Sequence, residues 1–219
     1  MTLLDYTRQM DILDPGRLSA HHFDLIGVGG IGSPTGLLLT KMGATDVRVF
    51  DPDEVSEVNL PCQVYRTGDL GRSKALASQE LWQQFAGVRV EAVPSEAGDS
   101  RLRGIVVVGV DSMSARADIW DVCMRDQADV RWLIDARMGA ETGVVFTLKP
   151  SLHADQLFYE RSLYTDSDAQ ALPCTGRAVL FNTFFIAALI GRQVKRIVMR
   201  QQPEKRIDFN LDDLSMFVI

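Results

Sequence analysis

The sequence is poor in cysteine and histidine, and it lacks the residue clusters that hold structural metals. Its three cysteines lie far apart among 219 residues, and no two of them form a C-x-x-C pair. We therefore expect no disulfide framework and no zinc site, and we predict a reducing, cytoplasmic compartment. The three histidines, His21, His22 and His153, do not make a metal-binding set either.

Basic residues are also in the minority. Lys and Arg number 23 against 29 Asp and Glu, so the net charge is −6 and the isoelectric point is near 5.1. This balance argues against a nucleic-acid-binding protein and against adsorption to anionic membranes. No apolar run approaches the roughly 18 residues of a membrane span, and residues 1–5 do not begin a signal peptide.

Strand-like and helix-like segments alternate over the first two thirds of the chain. Residues 23–28 and 104–110 are apolar runs of the kind that is buried in a parallel sheet, and residues 31–42 have a helical pattern. This alternation predicts an α/β fold with a Rossmann-like, doubly wound, mostly parallel sheet. Residues 143–148 and 156–159 look like strands with no helix between them, which predicts a C-terminal antiparallel extension.

No internal repeat or linker divides the chain, so we predict a single domain over residues 1–219. Its first part is an N-terminal helix within residues 1–20, with the helical pattern over 1–18. A nucleotide-binding half over residues 21–135 follows. Residues 136–219 would supply a crossover loop, a polar loop at 163–173, the most apolar helix at 177–192, and one closing strand at 206–211.

A glycine-rich turn follows the first predicted strand. Residues 27–32, Gly-Val-Gly-Gly-Ile-Gly, match G-x-G-x-x-G at the start of a predicted helix. Such glycines permit a tight turn and let phosphates approach the backbone N–H groups at the helix start. Asp51 ends the second predicted strand about twenty residues later, where a carboxylate can accept from ribose hydroxyls. The pattern predicts a nucleotide site, and NAD, FAD and ATP all remain compatible with it.

Several motifs beyond the second predicted strand narrow this choice. Residues 51–63 have the sequence D-P-D-E-V-S-E-V-N-L-P-C-Q, and residues 69–75 have D-L-G-R-S-K-A. A Y-x-R-Q motif lies at 6–9, a D-x-x-x-x-R motif at 111–116, and C-T-G at 174–176. In this order the motifs closely resemble the ThiF/MoeB/HesA superfamily of ubiquitin-activating-type adenylating enzymes, in its compact bacterial form without a zinc C-x-x-C.

The resemblance implies an activity, its cofactors and its partners. The activity is ATP-dependent adenylation of the C-terminal carboxylate of a ubiquitin-like or sulfur-carrier protein, with release of pyrophosphate. The implied cofactors are ATP and Mg²⁺, without zinc. The implied partners are a small carrier protein with a Gly-Gly-type C-terminus and a second copy of the chain in a homodimer, with no membrane and no nucleic acid.

The resemblance also implies roles for individual residues. Asp111 would hold Mg²⁺, Lys74 would reach the phosphates, and Asp51 would bind the ribose. Arg8 would act in the site of the partner subunit. Cys174 would either link covalently to the carrier or be only a small residue of a loop. The remaining residues of the implied nucleotide site surround the glycine turn: Gly27, Gly29, Gly30, Gly32, Asp53, Asn59 and Gln63.

Two of these residues also have simpler explanations from the sequence alone. Lys74 could be a solvated residue at the start of a helix. Asp111 could cap a helix that begins near Ser112, because aspartate is a favoured N-cap residue.

The chain departs from the superfamily pattern at Cys62, where the superfamily usually has an arginine. Loss of that cation should weaken binding of a triphosphate or slow adenylation, although Arg66 or Arg72 is near enough in sequence to compensate. A catalytically degenerate binding subunit is therefore an alternative function. Two lower alternatives are a tRNA-modifying dehydratase of the same superfamily and an NAD-dependent oxidoreductase.

Overall fold

The computed structural model describes residues 4–98, 100–125, 127–164 and 178–219. Within them one eight-stranded sheet has the strand order β3-β2-β1-β4-β5-β6-β7-β8. Its strands are His22–Ile26 (β1), Asp46–Phe50 (β2), Glu91–Val93 (β3), Gly104–Val108 (β4), Val130–Gly139 (β5), Thr142–Leu148 (β6), Arg206–Asn210 (β7) and Ser215–Val218 (β8). The α-helices are Pro15–Ser19 (α1), Gly32–Met42 (α2), Lys74–Ala86 (α3), Met113–Asp118 (α4), His153–Glu160 (α5) and Leu180–Val198 (α6).

The sheet changes from parallel to antiparallel at β5. Strands β1 to β5 pair in parallel, and β5, β6, β7 and β8 pair antiparallel. The apolar strands β1 and β4 lie side by side near the centre, where helices cover both faces of the sheet. The predicted α/β class with its antiparallel extension is therefore confirmed.

Strand β5 extends beyond its parallel neighbour. Its pairing with β4 ends at Asp135, opposite Val108, whereas residues 136–139 continue and pair with β6 alone. These last residues of β5 reach beyond the carboxyl edge of the parallel strands. They stand there beside the loops that follow β1 and β4.

The predicted N-terminal helix over residues 1–18 is wrong. Helix α1 begins at Pro15, and residues 7–12 form turns. Asp14 is the N-cap and accepts a hydrogen bond of 2.8 Å from the N–H of Gly16. The Pro15-Gly16 pair is the helix start, because proline at the first helical position lacks only an N–H that the first turn would leave unpaired.

Two errors concern the C-terminal half. Residues 156–159, predicted as a strand, belong to helix α5, whose Asp155 and Tyr159 are buried on one helical face. A second closing strand, β8, was not predicted, and it pairs with β7. Its apolar side chains are largely exposed, and that of Phe217 is 63% exposed. The sequence of β8 therefore lacks the alternation of apolar and polar residues that marks a half-buried strand. The predicted loop at 163–173 lies mostly outside the described residues.

The described part of the chain contains no helix with the length and apolar composition that crossing a membrane requires.

A charged cluster ties the amino ends of β1 and β2 together. The ring nitrogens of His22 lie 2.9 Å from Asp24 Oδ1 and 2.9 Å from Asp46 Oδ1, so only the imidazolium can donate to both carboxylates. Burial by itself lowers the pKa of His22, but the hydrogen bonds and charges of the two aspartates raise it above the ordinary value of 6.5. The cationic ring therefore stabilises the folded state.

We predict that His22→Asn lowers the stability of the protein most at mildly acidic pH. The pKa of His22 is higher in the folded protein than in the unfolded protein, so protonation of its ring stabilises the fold. This stabilisation is complete below the unfolded-state pKa and disappears as the pH rises through the folded-state pKa. The loss should be about 1.5–3 kcal/mol near pH 6 and should shrink towards pH 9. Urea unfolding across this range measures it, with His153→Asn, on the exposed start of α5, as the control. An equal loss at every pH would contradict the assignment.

Candidate functional site

A cleft of 2670 Å³ lies at the carboxyl ends of β1, β2 and β4 and continues along the end of β5. Ligands of doubly wound folds bind at this edge, where loops from neighbouring strands meet. The cleft brings together nearly all residues of the predicted nucleotide site. Those that line it are Gly27, Gly29, Gly30, Asp51, Asp53, Asn59, Gln63, Lys74 and Asp111.

The glycine loop joins β1 to α2 as predicted. Gly27 has φ = +83°, and a Cβ there would also lie 3.0 Å from the carbonyl oxygen of Gly109, beyond β4. A Cβ on Gly32 would overlap the carbonyl oxygen of Gly27. The N–H groups of Gly29, Gly30, Ile31 and Gly32 have no hydrogen-bond acceptor in the described part of the chain. Gly29, Gly30 and Ile31 line the cleft, so N–H donors at a helix start are available there for phosphate binding.

Asp51 connects the end of β2 to the glycine loop. Its Oδ2 accepts from the N–H of Val28 at 2.7 Å, and its Oδ1 accepts from the N–H of Asp53 at 2.9 Å. Burial raises the pKa of Asp51 above its usual value, against the lowering effect of these hydrogen bonds. Each oxygen retains a lone pair, so the carboxylate shapes the loop and can still accept from a ribose hydroxyl.

Lys74 is a buried residue of the cleft wall. It is the first residue of α3, and its side chain is only 9% exposed. Its Nζ donates to Asp53 Oδ2 at 2.8 Å, and its backbone N–H donates to the carbonyl of Asp53 at 2.9 Å. The simpler interpretation of Lys74 as a solvated helix residue is therefore wrong.

The segment from Ser56 to Gln63 forms one wall of the cleft. Asn59 Oδ1 accepts from both the N–H and the hydroxyl of Ser56 at 2.9 Å and so closes a short 3-10 helix, Glu57–Asn59. Cys62 lines the cleft, and burial raises the pKa of its thiol despite the charge of Lys74. The Oε1 of Gln63 is buried and receives no hydrogen bond from any described residue, so it is an acceptor without a donor beside the glycine loop.

Tyr65 is a residue of the site that the sequence analysis missed. Its hydroxyl donates to the carbonyl of Val28 at 2.7 Å and lies 3.1 Å from Ser78 Oγ on α3. Burial raises the pKa of Tyr65 well above the ordinary value, so the hydroxyl stays protonated. Tyr65 supports the glycine loop from below, and no local motif distinguishes it from any other loop tyrosine.

Arg66 and Arg72 do not supply the cation that the resemblance to the superfamily implies at position 62. Both donate to the buried carboxylate of Asp69, from Arg66 NH2 at 2.9 Å and from Arg72 NH1 at 2.8 Å. Both also donate to Glu80 on α3. Neither lines the cleft, so the expected compensation is wrong because these cations already stabilise the loop before α3.

Asp111 is exposed at the floor of the cleft, just beyond β4. The N-cap of α4 is its neighbour Ser112, whose Oγ accepts from the N–H of Ala115 at 3.1 Å. The capping explanation for Asp111 is therefore wrong. Its carboxylate forms no ion pair with any residue that the structure describes, and it faces the same space as the glycine loop.

Behind Asp111 lies a buried cluster of charges. Asp135 is fully buried on β5 and receives Arg116 Nε at 2.7 Å and Arg137 Nε at 2.8 Å. Arg137 also donates to the carbonyl and hydroxyl oxygens of Ser162 after α5. The sequence analysis included Arg116 only as part of a motif and did not identify Asp135.

Two predicted catalytic residues are not found in this cleft, because one lies elsewhere on the protein and the other lies outside the described residues. Arg8 is exposed in the N-terminal turns and lines a separate small pocket with Gln9 and Lys41. Cys174 lies outside the described residues.

The residues of the cleft fit a magnesium nucleotide. Magnesium usually takes one or two carboxylates, with phosphate oxygens and water as its other ligands. Asp111, whose carboxylate forms no ion pair within the described ranges, lies beside the backbone N–H groups of the glycine loop and meets this requirement. In the described residues, the cleft included, no group of three or more His, Cys, Asp or Glu side chains has a metal-binding arrangement.

Comparisons with known proteins agree with this geometry. The family model described as ThiF family matches residues 6–213. The chain is 38% identical over 81 residues to the probable adenylyltransferase/sulfurtransferase MoeZ of Mycobacterium tuberculosis, which covers 34% of this chain and 21% of MoeZ. It is 29% identical over 108 residues to the sulfur carrier protein ThiS adenylyltransferase of Escherichia coli, covering 46% of this chain and 43% of that protein.

Solved structures show the same fold. Escherichia coli MccB, crystallised with ATP, superposes with a TM-score of 0.73 at 17% sequence identity. PaaA superposes with a TM-score of 0.72 at 20% identity. Each match covers 94% of this chain and 65% of the other. The chain thus spans less than two thirds of the length of the relatives it matches.

We predict that Tyr65→Phe destabilises the fold through the glycine loop. The buried carbonyl of Val28 loses its donor, and an unpaired buried carbonyl costs about 1–3 kcal/mol. The measurement is the free energy of unfolding in urea. Tyr164→Phe removes the hydroxyl from a half-exposed tyrosine and serves as the control. Equal stabilities for the two variants would contradict the role of Tyr65.

Proposed function

Because the chain belongs to the ThiF family, we propose that it adenylates the C-terminal carboxylate of a small ubiquitin-like or sulfur-carrier protein with a Gly-Gly-type C-terminus. One observation carries the proposal: a single cleft combines a buried lysine with N–H donors that lack an acceptor and a carboxylate that lacks an ion pair among the described residues. These are the groups that an adenylation site needs for a polyanionic substrate.

The reaction is a displacement at the α-phosphorus of ATP. A carboxylate oxygen of the carrier forms a bond to phosphorus while the bond to the bridging oxygen breaks, and pyrophosphate leaves with that electron pair. Free N–H groups of the glycine loop and the ammonium of Lys74 would bind the phosphates. Asp51 would orient the ribose from its buried position, and Asn59 and Gln63 would shape the wall opposite.

Magnesium would be held by Asp111 together with phosphate oxygens. The ion would neutralise charge on the departing pyrophosphate. Asp53 is the partner of Lys74 in the nucleotide-free cleft, and it would release the ammonium when phosphates enter, because the Asp53 side chain is 66% exposed. Lys74 would thereby exchange the carboxylate of Asp53 for phosphate oxygens. Its buried ammonium would keep an anionic partner before and after nucleotide binding.

The proposal extends to assembly. Arg8 lies apart from the cleft of its own chain, which suits a residue that completes the site of a second copy in a homodimer. Residues 1–219 would form one cytoplasmic adenylation domain. Cys174 would be tested for a covalent link to the carrier by mass spectrometry under non-reducing conditions.

A second candidate function is a binding subunit that does not turn over ATP. The observation that favours it is the scarcity of cations near the glycine loop. Cys62 replaces an arginine, and Arg66 and Arg72 are bound to Asp69 and Glu80. ATP–pyrophosphate exchange in the presence of a carrier separates the two functions, because a binding subunit would show none.

We predict that Asp111→Ala abolishes adenylation without unfolding the protein. The variant loses the proposed Mg²⁺ ligand, and its rate of ATP–pyrophosphate exchange should fall by about 100-fold or more. The assay would use a ThiS-type sulfur carrier and a ubiquitin-like protein, each ending in Gly-Gly. Calorimetric titration with Mg-ATP, and with NAD as the control ligand, gives the affinities.

The matched control for Asp111→Ala is Asp121→Ala. Asp121 is an exposed aspartate beyond α4 that does not line the cleft. We expect its variant to keep full exchange activity. Full activity in Asp111→Ala would remove Asp111 from the mechanism, and binding of NAD but not ATP would overturn the proposed function.

We further predict that Cys62→Arg strengthens ATP binding. The segment that carries Cys62 is close to the glycine loop, since a Cβ on Gly30 would lie 3.8 Å from the Cys62 carbonyl oxygen. An arginine there would add charge-assisted hydrogen bonds to the phosphates, and the Kd for Mg-ATP should fall about tenfold. Calorimetry measures the change.

Cys62→Ser is the control for this prediction, because it alters the side chain without adding charge. We expect it to bind ATP as the unmodified protein does. An unchanged or weaker affinity in Cys62→Arg would show that position 62 does not limit nucleotide binding.

A further inference from the structure

Every N–H of the Arg116 guanidinium has an acceptor inside the protein. Nε donates to Asp135 Oδ1 at 2.7 Å. NH2 donates to the carbonyls of Val110 at 2.8 Å and Ala136 at 3.3 Å, and NH1 donates to the carbonyl of Ser112 at 3.2 Å and contacts Met113 Sδ. The side chain is only 3% exposed, so Arg116 has no free donor to offer a ligand.

Two of these acceptors flank Asp111. The carbonyls of Val110 and Ser112 belong to the residues immediately before and after Asp111, and one rigid guanidinium holds both. The backbone of Asp111 is thereby fixed from behind, while its carboxylate remains exposed to the cleft. Arg116 can therefore determine where the carboxylate lies without donating a hydrogen bond to anything bound in the cleft.

The guanidinium of Arg116 is itself anchored to the sheet through Asp135. Asp135 is fully buried on β5, directly opposite Val108 of β4, and its other oxygen receives Arg137 Nε at 2.8 Å. Arg137 makes no hydrogen bond to the residues at 110–112. The two arginines thus share one buried acceptor, but only one of them holds the loop of Asp111.

We propose that Arg116, anchored on Asp135, is a positioning residue that holds Asp111 in the orientation needed to bind a divalent cation with the nucleotide. This inference rests on the proposed function for the cation and the nucleotide. The positioning of the loop can be measured without either of them. Partners behind a metal ligand typically change metal affinity by about 10–100-fold when they are altered.

The test compares Arg116→Lys with Arg137→Lys in the full chain. Both variants keep a positive charge beside Asp135, but a lysine at position 116 cannot span the carbonyls of Val110 and Ser112. The first measurement is hydrogen exchange of the backbone amides at residues 110–115 in the protein without nucleotide. We expect exchange about tenfold faster in Arg116→Lys and unchanged in Arg137→Lys.

The second measurement is the affinity for ATP by calorimetry, with Mg²⁺ and with EDTA. Arg116→Lys should lose about tenfold or more of the gain in affinity that Mg²⁺ provides, and its affinity in EDTA should stay unchanged. Asp111→Asn should lose the same gain, and the double variant should lose no more than either single variant. Arg137→Lys should keep the gain in ATP affinity that Mg²⁺ provides.

Several results would overturn the inference. One is exchange at residues 110–115 that stays at the normal rate in Arg116→Lys. Another is an equal loss of affinity with Mg²⁺ and with EDTA in both lysine variants, which indicates a general structural role. If Arg116→Lys does not fold, both measurements are made on the isosteric variant Asp135→Asn instead. Absence of ATP binding by the unmodified protein would overturn the proposed function, and hydrogen exchange would still decide the positioning.

Discussion

The close approach of the glycine loop to the ends of β1 and β4 is the contact on which the rest of the cleft depends. A Cβ on Gly27 would touch Gly109, and a Cβ on Gly32 would overlap Gly27. Without those side chains, α2 starts directly at the edge of the sheet, and Asp51 reaches the N–H of Val28. The free N–H groups of the loop then share one space with Asp111.

Three buried carboxylates hold the loops around this space, and each uses different donors. Asp51 accepts backbone N–H groups, Asp69 accepts two arginines of the loop before α3, and Asp135 accepts Arg116 and Arg137. Most of the cations near the glycine loop are therefore committed to the fold. Lys74 differs, because its partner Asp53 is exposed and easily exchanged.

The errors of the sequence analysis have a common physical origin. At α1, a proline-glycine pair has the same composition whether it ends a helix or starts one, and Asp14 decides between the two by capping. In α5 the burial of Asp155 and Tyr159 depends on partners in other elements, such as Lys205 and Trp120. In β8 the apolar residues are exposed, so no alternation marked a face.

The sequence by itself determined the α/β class and the glycine turn, because apolar runs and local spacing encode them, and its resemblance to the superfamily implied the other residues that line the cleft. Tertiary structure alone decided how the charges are used. Arg66 and Arg72 carry the same charge as a phosphate-binding arginine, and only their distances to Asp69 and Glu80 show that they are committed elsewhere. Arg116 likewise acquires its role only where β4 and β5 lie side by side, since its acceptors come from β5 and from the loop of Asp111 that follows β4.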